Sequence, residues 1–384
     1  MLRLTFPLYV GGFLGPFGGS ILVALIPAAA DSLGTSLGLV ATSITAYMVP
    51  FALLQLVSGT LSQRLGARRL VRASYFAYGA AAVLCALAPE IWTFMGARAL
   101  MGAANAFLSP ILLVALSEVV PRGVLGRSVG TFAAWQTAGF TLGPLLGGAI
   151  GELHWRAAFV LVALLSLALA LPQRSLASVS AEPRRASFRA LLDRWLALLG
   201  TKALLGYASF TAIGFVVVLL VAERFALSPG ELGLLLAGHG IGGVLLGRPA
   251  GSIVDRVGRP ATTLAGALLC AAGVLALPFA PSLWTLGLLY FGVGCAGAFV
   301  WAGLNTIVVE AFPENRAGAT SLFSFFKFSG VALAPLIYVP LFEADSTAPF
   351  ALAAGLAFLL ALLVLPWFGR YRLGATVADR SVSG

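Results

Sequence analysis

The chain has 384 residues, a formal net charge of +10, 60% hydrophobic residues and only 10% charged ones. A soluble globular domain carries roughly 25% charged residues, so this composition excludes a surface covered by water. Apolar runs then set the class, because about 20 apolar residues cross the hydrocarbon core as a helix, which open sheets and lipid-exposed loops cannot do.

The first apolar run follows Arg3 directly, with no small-residue cleavage site set apart from it, so Met1 to Pro7 reads as the start of a span. Helices are predicted over Phe6–Ala29, Val40–Leu61, Leu70–Leu87, Ile91–Leu116, Val129–Ile150 and Ala157–Leu171. A second set covers Ala203–Ala222, Leu232–Ile253, Ala261–Phe279, Leu283–Val309, Ala317–Leu341 and Phe350–Phe368. We number them 1 to 12. Residues 1–172 read as one six-helix bundle, 173–202 as a cytoplasmic linker, 203–370 as a second bundle and 371–384 as a cytoplasmic tail. Within the linker, Phe188, Leu191, Leu192, Trp195, Leu198 and Leu199 recur at helical spacing. This fits either a short helix on the membrane surface or an extension of helix 7. Cys85, Cys270 and Cys295 fall inside apolar runs without pairing or ligand spacing, and read as buried thiols.

Arginines cluster on one side of the spans: Arg64, Arg68, Arg69 and Arg72 after helix 2, Arg122 and Arg127 after helix 4, Arg256 and Arg259 after helix 8, with others in the linker. The opposite loops hold Arg156 and Arg224 beside Glu90, Glu152, Glu223, Glu231, Glu343 and Asp345. By the positive-inside rule both termini and the linker are cytoplasmic. The positive charge is this bias and requires no nucleic-acid partner.

The two halves repeat. Gly59-Thr60-Leu61-Ser62-Gln63-Arg64-Leu65-Gly66 lies over Gly251-Ser252-Ile253-Val254-Asp255-Arg256-Val257-Gly258, an offset of 192 (251 minus 59). The same offset sets Gly102, Ala106 and Phe107 over Gly294, Ala298 and Phe299, and an offset of 191 sets Gly139 and Pro144 over Gly330 and Pro335. Membrane proteins built this way bind substrate between the halves near the bilayer midplane.

The segment Gly59 to Arg69 resembles the loop signature of the major facilitator superfamily, with Gln63 where the family has an acid; the second copy keeps the acid as Asp255. The resemblance implies a conformational latch made by Gly59, Gln63, Arg64, Gly66, Asp255, Arg256 and Arg259, with Asp255 near Arg122 or Arg127. Arg98 in Arg98-Ala99-Leu100-Met101-Gly102 resembles the family's helix 4 motif. Gly139-Phe140-Thr141-Leu142-Gly143-Pro144-Leu145-Leu146-Gly147-Gly148 resembles the signature of its twelve-helix drug/proton antiporters. The resemblance implies an all-α membrane protein of two pseudo-symmetric six-helix bundles, with helix 5 (Gly139, Gly143, Pro144, Gly147, Gly148) serving as a gate.

Charges at membrane depth are costly and mark candidate sites. Arg98 serves proton coupling or substrate, or else pairs with backbone carbonyls. Lys327, among Phe325, Phe326 and Phe328, is a substrate or coupling candidate, and Gln136 is its repeat partner (136 plus 191). His239 carries a proton or packs; Asn105 and Asn305 share that ambiguity. Tyr47, Gln55, Trp135, Tyr290 and Trp301 line a cavity or pack. Helix 1 has no carboxylate before Asp31, so the cavity is expected to favour neutral or anionic amphiphiles over lipophilic cations.

The leading reading is a monomeric exporter of small amphipathic molecules in a bacterial inner membrane, working by alternating access as a proton antiporter. The alternatives are a transporter of a specific sugar, amino acid or organic anion without protons, and a transporter-like sensor without flux. No phosphate loop, metal-ligand pattern or nucleophile–histidine arrangement supports an enzyme, and no cofactor is expected.

Overall fold

A computed structural model describes residues 2–121, 124–171, 194–311 and 316–366. Within them nine helices are long and apolar enough to cross a membrane, two shorter apolar ones follow at Trp155–Ala170 and Ala348–Val364, and helix 5 covers Leu125–Gly151. These twelve rods match the twelve predicted spans, and no strand occurs among the described residues.

Several ends have chemical causes. The Ser36 side chain accepts from the Leu39 amide and starts helix 2 (Leu37–Leu65). Ser228 and Glu231 form a capping box at the start of helix 8 (Pro229–Val257). Helices 2 and 3 (Ala67–Leu87) are joined by Gly66 at φ 84°, and helices 8 and 9 (Arg259–Ala276) by Gly258 at φ 100°. Side chains with a Cβ rarely adopt that backbone, so glycine permits these one-residue turns.

The repeat is visible in the packing. Helix 1 lies on helix 5, helix 2 on helix 4 (Ile91–Asn105 and Leu108–Val119), and helix 3 on helix 6 (Trp155–Ala170). In the second half helix 7 lies on helix 11 (Arg316–Ala344), helix 8 on helix 10 (Leu283–Ala311), and helix 9 on helix 12 (Ala348–Val364). Helices 5 and 8, and helices 2 and 11, join the halves. Each seam maps onto the other when the halves are exchanged.

Helices 1 and 7 are both interrupted. Helix 1 is α-helical over Leu2–Ser20, tightens at Val23–Leu25 and resumes as Ile26–Leu33. Helix 7 runs Arg194–Gly206, widens to a π turn over Tyr207–Thr211 and resumes at Gly214–Arg224. The repeat offset carries Ile21 onto Ile213 (21 plus 192), so the interruptions correspond.

Helix 7 is already formed at Arg194, eight residues before Lys202, the end of the linker predicted from sequence. Trp195, Leu198 and Leu199 therefore belong to helix 7, the extension reading, and Leu199 is buried. Phe188, Leu191, Leu192 and the rest of 172–193 lie outside the described residues, as does the predicted end of helix 12 at Phe368.

Candidate substrate cavity between the halves

We call the arginine-rich end of the bundle basic and the end with Glu90, Glu152 and Glu343 acidic. The seams close at the acidic end. The Pro229 carbonyl occupies the place a methyl group on Gly148 would take, the Pro144 carbonyl does the same for Gly233, and Gly240 makes room for the Thr141 side chain. At the end of helix 5, Glu152 Oε1 accepts a 2.7 Å hydrogen bond from the Gly230 amide in the first turn of helix 8. The Ser228 hydroxyl and that amide hold the Glu152 carboxyl below its usual range. On the other seam, Thr45 Oγ1 donates to the Ala332 carbonyl at 2.6 Å, and Phe51 stands edge-on to Phe328 with ring centres 4.7 Å apart.

Toward the basic end the same faces separate. Thr137 and Ala134 continue the Thr141 face of helix 5, and both are exposed. Val244 and Gly247 continue the Gly240 face of helix 8; Val244 is exposed, and no neighbouring atom lies within 4 Å of where a Gly247 Cβ would be. The seam of helices 5 and 8 is thus closed toward the acidic end and exposed toward the basic end. Asp255 and Arg256 are exposed there, while Arg259 makes a bidentate ion pair with Glu310 of its own half at 3.1 and 2.5 Å. Arg64 is exposed. Arg122 and the side chains of Arg127 and Gln63 lie outside the described residues, as do the surroundings of Gly59.

The helix 5 glycines divide between two neighbours. Gly139, Gly143 and Gly147, four residues apart, lie against the helix 1 backbone at Phe13, Phe17 and Ile21, whereas Gly148 and the Pro144 carbonyl face helix 8. One stripe fastens helix 5 within its half, and the next forms the seam.

In the first half, Arg98 is fully buried and donates to the carbonyls of Gly18 at 3.0 Å and Gly19 at 3.1 Å, just where helix 1 breaks. The last carbonyls of an α-helix have no partner of their own, and the guanidinium supplies two donors. Of the readings open for Arg98, the carbonyl pairing is the one present in this geometry. Tyr47 is buried beneath it at 1% exposure, with its hydroxyl 3.4 Å from that of Tyr78, so it packs inside the half and does not line a cavity. Asn105 is also buried, against Gly15. Gln136 is partly exposed and donates to Ser109 Oγ at 3.3 Å, and Trp135 packs edge-on to Phe6 and Phe13 of helix 1. Gln55 is partly exposed on helix 2, its Oε1 buried without a partner.

In the second half, His239 stacks on Tyr290 with ring centres 4.9 Å apart, and its Nδ1 has no hydrogen-bond partner. Asn305 is exposed on helix 10. Lys327 is partly exposed. Its Nζ lies 4.9 Å from the ring centre of Tyr207, 5.7 Å from Trp301, 5.8 Å from Phe323 and 5.9 Å from Phe328. Phe325 and Phe326, expected around it, pack on each other instead, and Phe326 lies over Gly200. Each residue along an α-helix turns by about 100°, so the ring one turn back, at Phe323, reaches Lys327 while two nearer ones face away.

Sequence reading missed two cations. Lys202 is fully buried within helix 7, eight residues after Arg194; the apolar run that opens this helix in the sequence starts one residue later. Arg248 is exposed on helix 8, 18 residues or about five turns beyond Gly230, and so shares the face that Gly230 turns to the other half. The described carboxylates, by contrast, all lie at helix ends or in the turns between helices.

The family model described as Major Facilitator Superfamily matches residues 8–215 and again 199–380, one match for each half. The chain belongs to the Major Facilitator Superfamily. Within that superfamily it is 23% identical over 381 residues to quinolone resistance protein NorA of Staphylococcus aureus, covering 95% of this chain and 96% of that one. It is 23% identical over 354 residues to the uncharacterized MFS-type transporter YceJ of Bacillus subtilis, covering 89% and 90%. Multidrug efflux pump LfrA of Mycolicibacterium smegmatis is 30% identical over 171 residues, 44% of this chain and 34% of LfrA. The crystal structure of nucleoside transporter NupG superimposes with a TM-score of 0.78 at 15% identity, over 95% of this chain and all of that one, which shows the shared fold. The chain is accordingly a multi-pass membrane transporter of small molecules and not an enzyme, and the space between its halves is where such a fold holds its substrate.

Proposed function

We propose that this chain exports small amphipathic molecules, neutral or anionic in preference to cationic, across a bacterial inner membrane by proton antiport, with both termini cytoplasmic. The observation that carries this reading is the polarity of the space between the halves: Lys327 and Arg248 stand on elements bordering it, partly or fully exposed, and no described carboxylate lies at comparable depth. A cationic wall attracts an anion and repels a cation, and low dielectric strengthens both effects. The helix 5 signature and the names of the relatives, a quinolone resistance protein and a multidrug efflux pump, support export.

With the basic end taken as cytoplasmic, the conformation described is inward-facing and ready to load. Rocking the halves would close the basic end and bring Asp255 toward the arginines at the start of helix 5, the latch of the opposite state. Gly148 and Pro144, packed on helix 8, form the gate that must part for release. His239, partly exposed on helix 8 with its Nδ1 buried and without a partner, is the group we assign to proton uptake. Arg98 we assign to holding the helix 1 break.

The test is transport in proteoliposomes carrying an internal pH-sensitive dye under an imposed proton gradient. Neutral, anionic and cationic amphiphiles are added in turn to wild type, Lys327→Ala and His239→Ala. We expect proton movement evoked by anionic or neutral compounds and lost in His239→Ala. Flux of ethidium equal to that of an anion would refute the charge preference, and flux without proton movement would refute antiport.

A further inference from the structure

We propose that Lys327, Tyr207 and Trp301 form a recognition site for a planar aromatic anion, the ammonium taking the charge and the two rings holding the apolar plane. This rests on the reading of the chain as an exporter that loads substrate between its halves. The three side chains come from helices 11, 7 and 10, and all are partly exposed. Among the described residues no carboxylate pairs with Lys327, and its partly exposed ammonium lies among ring faces. Rings stabilise a cation but neutralise nothing, which leaves the full charge for a ligand.

The rings are held in place by features that simple packing would not need. Tyr207 opens the π turn of helix 7, where the Ala212 amide reaches back to the Tyr207 carbonyl at 2.8 Å. The Ala208 carbonyl in that turn accepts a 2.7 Å bond from the buried Tyr338 hydroxyl of helix 11, the helix that carries Lys327. Such π bulges concentrate at functional sites because they re-aim side chains. Trp301 lies over Gly206, where a Cβ would come within 2.9 Å of its Cη2 atom, and its ring centre is 4.5 Å from that of Tyr207 at 63°. Two rings set at 63° with an ammonium over their faces suit a flat apolar body bearing one negative group that the ammonium meets. Phe328, beside Lys327, meets Phe51 of the other half, so an occupant here would touch the seam that rocking must rearrange.

The test is equilibrium binding to the full chain in lipid nanodiscs, by calorimetry, of naphthoate, naphthylmethanol and naphthylmethylamine, which share a ring system and differ in charge. We expect naphthoate to bind about tenfold or more tighter than the alcohol, the effect of a hydrogen bond to a charged partner. The amine should bind weakest. Lys327→Met should abolish the preference for naphthoate while leaving the alcohol within about twofold, and Lys327→Arg should restore most of it. Tyr207→Leu should weaken naphthoate and alcohol alike. An unchanged naphthoate-to-alcohol ratio in Lys327→Met, tighter binding of the amine, or no binding of any probe to wild type would overturn the assignment. Because no gradient or flux is involved, a chain that binds naphthoate yet moves nothing would refute export and leave this site standing.

Discussion

The Arg98 guanidinium carbon stands 4.4 Å above the centre of the Tyr47 ring. Adding the repeat offset of 192 to both numbers gives Tyr290 and His239, which also stack on each other. The pair has kept its place in both halves while the aromatic partner has moved from helix 2 to helix 10. Its aim is also kept: Arg98 reaches the carbonyls at the helix 1 break, and the Tyr290 hydroxyl lies against Gly214, where helix 7 resumes. Each interrupted helix thus faces a polar group from the fourth helix of its half.

Arg98→Met should destabilise the first half, because it leaves two buried carbonyls without donors, and bonds to a charged group contribute about 1.5–3 kcal/mol each. Thermal unfolding in detergent would register this as a lower midpoint, with Arg98→Lys intermediate. An unchanged midpoint in Arg98→Met would show that the carbonyls find other partners.

Gly102→Ala and Gly294→Ala should be severe although both sites are apolar. A methyl group there would overlap the backbone carbonyls of Tyr47 and His239, which cannot swing aside as a side chain can. Helices 2 and 4, and 8 and 10, would be pushed apart along the packing that defines each half. We expect sharply reduced yield of folded protein by size-exclusion chromatography; Gly96→Ala, where no atom lies within 4 Å, serves as the neutral control.

Gly148→Ala should open the acidic end without unfolding the chain, since the Pro229 carbonyl it would strike belongs to the other half and can move away as a body. Spin labels at Leu153 and Trp284, both highly exposed, would report longer distances than in the unsubstituted chain. Gly143→Ala faces helix 1 within its own half, and should lower stability without lengthening that distance.

Acid should act on the same seam through Glu152. Its carboxyl titrates below the usual range because the charged form accepts from Ser228 and Gly230. The contact is therefore fully present at neutral pH and lost only as pH falls through that lowered value. Distance measurements between the same labels should show the acidic end loosening in strong acid, and Glu152→Ala should show the loosened distribution at neutral pH with no further response to acid.

Much of the fold was legible because the bilayer imposes a length and a polarity on every span, and the chain meets both in a simple pattern of apolar runs and arginines. The turn glycines Gly66 and Gly258 were readable as well, since a reversal between two helices so close together needs a backbone that other residues avoid. The site was less legible. Tyr47 and Trp301 are aromatic residues in apolar helices and carry the same signal in sequence, yet one is sealed inside a half and the other lies beside Lys327. Their difference is angular, set by which face each helix turns to its neighbours, and an all-apolar helix has little hydrophobic asymmetry to announce it.

The sequence alone determined that this chain is a duplicated bundle of twelve membrane helices with its arginines gathered at one end, because hydrocarbon thickness and hydrogen-bond satisfaction admit few other solutions. Only the tertiary structure decided that helices 1 and 7 break at matching positions, that Arg98 is engaged by carbonyls while Lys327 meets no carboxylate among the described residues, and that the helix 5–helix 8 seam closes at Glu152 and is exposed toward Arg248. Those outcomes depend on contacts between residues far apart in the chain, where one turn of a helix moves a charge from a packed interior to a cavity wall.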